Sequence, residues 1–201
     1  MHSACTTKRH RKPGSATVYT VVLDACVLFP NILRDTLLTL AERELFRPLW
    51  SDAILDEVRR NVLAKRNVDP AAFDRTLALM NASFDDALVD DWQPIVIGLE
   101  LPDPDDRHVL AAAIAGGAQA IVTFNLVDFP TKQFQPHHVD AVHPDSFLLD
   151  QLDLSPAVVL NALAKQAQRF RNPAMDLSGL LARLERCDVP EFTEEVRRIA
   201  L

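Results

Sequence analysis

Hydrophobic positions along the first third of the chain follow two rhythms. Residues 19–23 are almost all apolar or β-branched, the pattern of a strand buried on both faces. The run stops at Asp24. Leu33, Leu37, Leu40, Ala41 and Leu45 then recur at helical spacing, predicting a helix over 32–45 with Asn31 as its cap. The stretch FRPLWS suits a second strand, and Pro48 argues against a central place in the sheet. Ser51 or Asp52 caps a helix to about residue 66, with Ile54, Leu55, Val58, Val62 and Leu63 as its apolar stripe. A further helix opens at Asp69-Pro70 and runs to about 80, a shorter one covers 85–89, and PIVIGLEL holds a brief strand.

The alternation continues. LPDPDD is a turn and cap cluster. HVLAAAIAGG is an Ala-rich helix closed by Gly116 or Gly117. QAIVTFN and HVDAV are the next strands, and Ser155-Pro156 opens helices over 156–171, 176–186 and 191–200. Strands alternating with helices predict an α/β domain with a mostly parallel sheet, followed by a C-terminal helical extension.

Composition narrows the function classes. The chain has 201 residues, 48% of them hydrophobic, enough for one sizeable core. Residues 1–16 are basic and polar, lack the apolar core of a secretory signal, and are read as a flexible tail. No apolar run approaches the ~20 residues that span a bilayer. Cys5, Cys26 and Cys187 match no disulfide or metal spacing, so a reduced, cytoplasmic setting is expected. With a net charge of −7, the chain cannot attract a polyanion by bulk charge. A nucleic-acid role needs a local basic surface or bound cations.

Four carboxylates stand where packing would not put them. Asp24 sits at the carboxyl end of the first strand, where open parallel sheets collect ligands; the plain alternative is a helix cap. At ~100° per residue, Glu57 borders the buried stripe of its helix while Asp56 points to solvent. Asp106 lies in line with Val109, Leu110 and Ala113, whereas Arg107 and His108 fall on other faces. Asp128 follows the strand that ends at Thr123, with Asn125 between them. Two like charges ~4 Å apart repel by about 4 kcal/mol at an intermediate dielectric, so such a cluster needs a cation. Oxygen donors without Cys or His select Mg²⁺ or Mn²⁺ over Zn²⁺.

These residues also carry a resemblance. A hydrophobic strand ending in Asp24, a helical Glu57 and the segment DDRHVLAAAIAGGAQAIVTFNLVDF resemble the PIN domain over about residues 18–149. The similarity is closest to VapC-type toxin ribonucleases of bacterial toxin–antitoxin pairs. It implies a three-layer α/β/α PIN-like domain with Asp24, Glu57, Asp106 and Asp128 as the acidic catalytic and metal-binding set. Thr123 and Asn125 support it. It further implies cleavage of single-stranded RNA with Mg²⁺ or Mn²⁺, a homodimer, no membrane, and a small cognate antitoxin. The expected organisation is a tail over 1–16, a PIN-like nuclease domain over 17–150 and a helical extension over 151–201. The tail and the extension depart from the compact toxin pattern.

Arg43, Arg47, Arg59, Arg60, Lys65 and Arg66 are candidate phosphate contacts, against the reading of a solvated helix face. Phe124 and Phe129 suit core packing better than base stacking, Cys26 is a packing residue, and His137, His138 and His143 are strand and surface residues. The alternatives are a non-catalytic PIN-like RNA- or protein-binding module and a housekeeping RNA-processing nuclease. A haloacid-dehalogenase-type phosphatase would need a second Asp where Cys26 stands.

Overall fold

The computed structural model describes residues 18–130 and 137–200; the basic N-terminal segment, with Cys5, lies outside them. Strand β1 (Thr20–Leu23) is buried along its whole length, as its unbroken apolar run requires. It pairs in parallel with β2 (Arg47–Leu49) on one side and β3 (Ala120–Val122) on the other, and β3 pairs in parallel with β4 (Asp140–Val142). The sheet order is β2-β1-β3-β4, which leaves Pro48 on an edge strand where its missing N–H costs nothing. The chain moves one way from β1 to β2 and the other way from β3 to β4. The winding therefore reverses between β1 and β3, and a crevice opens beyond their carboxyl ends.

Helices cover the sheet in a three-layer α/β/α arrangement. Short α1 (Ala25–Leu28) follows β1 directly, and α2 (Asn31–Ala41) leads to β2. The segment between β2 and β3 holds α3 (Asp52–Lys65), α4 (Pro70–Ser83), α5 (Gln93–Val96) and α6 (Arg107–Gly116). Ser51 caps α3 by accepting from the Ile54 N–H, and Ile54, Leu55, Val58 and Val62 are buried as their spacing predicts. Gly117 ends α6 at φ 63°, a left-handed conformation that glycine adopts freely. A Cβ on Gly116 would lie 2.5 Å from Leu49 Cδ1, so this glycine lets α6 approach the edge strand closely.

The C-terminal part packs on this body through α7 (Pro144–Leu154), α8 (Pro156–Arg169), α9 (Leu177–Glu185) and α10 (Pro190–Ala200). Phe147 meets Phe46 edge-on at 4.8 Å. Buried Gln166 accepts from Thr36 Oγ1 at 2.9 Å and donates to the Ile32 carbonyl at 3.3 Å, tying α8 to α2. Asp145, 6% exposed, accepts from the backbone N–H groups of Glu191 and Phe192 at 3.0 and 2.8 Å. These are first-turn donors of α10, which have no partner within their own helix. Replacing Asp145 by Ala orphans both and is expected to cost about 2–3 kcal/mol. Thermal unfolding should show this as a midpoint lowered by about 5–10 °C; an unchanged midpoint would mean that α10 is not held this way.

Several expected elements differ. Residues 85–89 form a turn and an isolated parallel bridge between Leu88 and Trp50, not a helix, because the Trp50 backbone offers pairing partners there. The strand expected in PIVIGLEL is the helical turn α5, where Pro94 sits in the first turn with its φ already set. Asn31 is the first residue of α2 rather than its cap; Pro30 holds the cap position without a side-chain bond. The helix predicted to 45 stops at Ala41, and Glu44 turns the chain at φ 59°. Helix α7 was not expected, and it runs through residues 150 and 151. Among the described residues no single helix is long and apolar enough to cross a membrane.

Candidate active site

Asp24 leaves β1 at the switch point and does two jobs. Its Oδ1 accepts the Ala25 N–H at 2.6 Å and caps α1, so the plain capping role is real. Its Oδ2 accepts from Thr123 Oγ1 at 2.7 Å and from Cys26 Sγ at 3.1 Å. Thr123 stands at the end of β3, fully buried, and its oxygen accepts the Asn125 N–H at 3.0 Å. With that lone pair engaged, the hydroxyl hydrogen is directed at Asp24. Burial first, then the Asp24 charge, pushes the Cys26 thiol up to about 12, so Cys26 is a hydrogen-bond donor and no nucleophile.

Thr123→Val removes one partner from a carboxylate that is 3% exposed. Such supporting residues are worth roughly 10–100-fold in metal affinity. We expect a Mn²⁺ titration of the Val variant to show a loss in that range, and unchanged affinity would remove Thr123 from the site.

Beside Asp24 lies a cleft of ≈ 730 Å³ lined by Glu57, Asp106, Asp128 and Asn125, together with Asp56, Asp103 and Asp105. Three elements bring these side chains together: the exposed border of α3, the 3₁₀ turn Pro104–Asp106 that enters α6, and the 3₁₀ turn Leu126–Asp128 after β3. Asp24 is buried and not part of this lining, yet its charge acts on both Glu57 and Asp106. Burial, followed by Asp24, Asp103, Asp128 and Glu57, pushes Asp106 up to about 7. Glu57 is raised too, by burial and Asp24, against the lowering pull of His108 and Arg60. All four carboxylates singled out in the sequence thus share one electrostatic neighbourhood.

Asp56, Asp103 and Asp105, assigned to solvent or to turns by spacing, also face the cleft, and Asp103 Oδ1 accepts the Asp105 N–H at 2.9 Å. His108, placed on another face by the helical wheel, lines the cleft instead. Its Nε2 is 3.7 Å from Glu57 Oε2, and its Nδ1 is 2.6 Å from the Asp105 carbonyl. The neighbour that recruits His108 is on α3, and periodicity within α6 cannot reveal it. Among the described residues no three His, Cys, Asp or Glu side chains converge tightly enough to form a ready metal cage. Unneutralised carboxylates repel one another, and a cation is what would draw them in. The donor set is nearly all carboxylate oxygen, which fits a hard divalent ion.

The candidate basic contacts scatter. Arg60 lines the cleft. Arg59 forms a two-pronged pair with Asp74 at 2.5 and 3.1 Å, and Arg47 pairs with Asp86 at 2.9 Å. Lys65 and Arg66 lie over the Phe29 ring at 5.6 and 5.2 Å, and Arg43 is exposed. Phe129 is buried, and Phe124 meets His143 edge-on at 5.3 Å. His143 caps α7, while His137 and His138 are exposed.

A parallel sheet whose switch point opens on clustered carboxylates narrows the class, and comparison with protein families identifies it. Residues 20–126, more than half of the chain, match the model described as PIN domain, and the chain belongs to that family. The match includes Asp24, Glu57, Asp106, Thr123 and Asn125, and Asp128 lies just past its end. A second model, described as VapC50 C-terminal domain, matches residues 144–198, which take in α7 to α10. Among curated proteins, the chain is 40% identical over 94 residues to "Putative ribonuclease VapC50" of Mycobacterium tuberculosis (strain ATCC 25618 / H37Rv). That alignment covers 47% of this chain and 55% of the relative, so the chain spans about half the length of the curated protein it matches. No solved structure matches the chain.

Proposed function

We propose that this protein is a metal-dependent endoribonuclease that cleaves single-stranded RNA, the toxin of a type II toxin–antitoxin pair acting in the cytoplasm. The observation that carries this reading is the acidic cleft at the β1/β3 switch point, where the charges of Asp24, Glu57 and Asp128 all act on Asp106. The PIN family membership and the ribonuclease named in the relative support it. Asp24, Glu57, Asp106 and Asp128 would hold Mg²⁺ or Mn²⁺. When bound, such an ion supplies Lewis acidity and positive charge opposite a scissile phosphate.

The chain's own residues prepare that chemistry. Thr123 and the Ala25 N–H fix the Asp24 carboxylate in one orientation before any ligand arrives. His108 and Arg60 hold Glu57 against the repulsion of its acidic neighbours. Arg60, on the cleft wall, can donate to a phosphate oxygen of the strand. In a cleft otherwise so acidic, RNA entry depends on the cation as much as catalysis does. Residues 17–150 form the nuclease domain in this reading, and 151–201 form an extension available to a partner. A homodimer and a small antitoxin complete the proposal.

The test is incubation of the purified chain with end-labelled single-stranded RNA and Mn²⁺ or Mg²⁺. Cleavage that stops on addition of EDTA is expected. RNA left intact with either ion would reject the enzyme and favour a non-catalytic module.

A further inference from the structure

A second cavity, of ≈ 510 Å³, opens on the far side of α3 between α2 and α4. Its walls are Phe29, Arg34, Val62, Arg66, Phe73 and Thr76. Two guanidinium groups face it without acidic partners. Arg34 is half-buried, donates one bond to the Leu28 carbonyl at 2.6 Å and lies 5.5 Å over the Phe73 ring. Arg66 lies over Phe29, and neither arginine has an ion pair among the described residues. Asp35, whose charge acts on Arg34, is itself held by Arg169 at 3.4 Å.

Arg34 is a half-buried cation without an ion pair, which is costly unless a ligand neutralises it, whereas Arg66 is exposed and lines the same cavity. Planar guanidinium groups suit phosphate oxygens, which accept two parallel donors. The volume is that of a small-molecule site, and the Phe73 and Phe29 rings hold the two guanidinium groups by cation–π contact.

We propose that this cavity is a nucleotide subsite for the RNA strand, with a backbone phosphate between Arg34 and Arg66. The proposal rests on the ribonuclease reading and extends it. Helix α3 lines both cavities: Glu57, Arg60 and Asn61 face the acidic cleft, and Val62 and Arg66 face this one. Arg60 and Arg66 are six residues apart, about 9 Å along the helix axis and about 120° around it. The path between them is therefore roughly 13–15 Å, about four stacked nucleotides at ~3.4 Å each. One strand curving around α3 reaches the cleft with one phosphate and this subsite with another. In a protein of net charge −7, the subsite supplies the grip on RNA that bulk charge does not.

Arg34 also holds the end of α1, so Arg66, which makes no side-chain hydrogen bond among the described residues, carries the test. Arg66→Ala and Arg66→Glu are compared with the wild type in cleavage of single-stranded RNA with Mn²⁺. Binding of fluorescein-labelled oligouridylate is measured by anisotropy across salt concentrations. We expect a KM raised about tenfold for Ala and more for Glu, with kcat unchanged, and a binding salt slope reduced by ~0.7 per lost phosphate contact. Cleavage with the same KM and slope in both variants overturns the subsite while leaving the nuclease intact. A wild type that neither cuts nor binds RNA overturns the ribonuclease reading and the subsite with it. If Arg66→Ala spares RNA binding but abolishes binding of a polyglutamate peptide, the cavity takes an acidic protein segment and the nucleotide assignment fails.

Discussion

Asp24→Asn is expected to leave a folded protein that cleaves RNA about 10³-fold more slowly, since metal-held charge contributes several kcal/mol and each 1.36 kcal/mol is tenfold. The two halves of this prediction come from the two oxygens of one side chain. The Asn oxygen can still accept the Ala25 N–H, so the cap on α1 survives. The Asn nitrogen faces Thr123 Oγ1, which is both donor and acceptor and can turn its hydrogen elsewhere. The thermal midpoint should therefore move by only a few degrees. The charge, by contrast, has no substitute, because Asp24 is the carboxylate that acts on both Glu57 and Asp106. Single-turnover cleavage and circular dichroism on the same preparation separate the two effects. A variant that melts normally and cuts RNA at the wild-type rate would remove Asp24 from catalysis.

Asp106→Asn should lose activity to a similar degree and yet stabilise the protein in the absence of metal. In the folded chain Asp106 is pushed up to about 7, well above the ordinary carboxylate value of 3.8. Between those limits the folded state binds more protons than the unfolded state, so stability falls as pH rises. The penalty is absent below about pH 4, grows through the interval and is complete above about 7. Asn does not ionise and escapes it. Because Asp106 is only half-buried, solvent screens much of the effect, and a gain of about 1 kcal/mol at pH 8 is a realistic expectation. For a chain of this size that is roughly 2–4 °C in midpoint. Melting curves at pH 5 and pH 8 in EDTA check it: the variant's advantage should be larger at the higher pH. An equal or reversed difference would show that Asp106 is not held under electrostatic pressure. Added Mn²⁺ should raise the wild-type midpoint at pH 8 and leave the variant's unchanged.

Much of the acidic edge is legible before any fold is known, because the relevant signals are local. A β-branched run ending in Asp24, a Pro on a strand, a serine before an apolar stripe and paired glycines after an Ala-rich helix each act within a few residues. The structure places β1, the edge strand, the Ser51 cap and the end of α6 accordingly. Periodicity fails where a distant neighbour decides. Leu88 pairs with Trp50, some forty residues away, and that pairing replaces a helix. His108 is off the stripe of its own helix but faces Glu57 on another. Arg34 and Arg66 gain meaning only when α2, α3 and α4 enclose one cavity. Helix α7 carries a readable stripe in Phe147, Leu148 and Leu152, but its anchor is Asp145, a carboxylate whose partners lie near the chain's end.

The proposed nuclease activity requires the acidic groups around the switch point to bind one kind of hard cation together. Crystals of the wild-type chain grown with Mn²⁺ and measured at a wavelength where manganese scatters anomalously ask this directly. An anomalous peak touching Asp24 and Asp106, with Glu57 or Asp128 close by, is expected, and no such peak in Asp106→Asn. Manganese bound elsewhere, or no peak with those carboxylates ordered and apart, would contradict the nuclease reading.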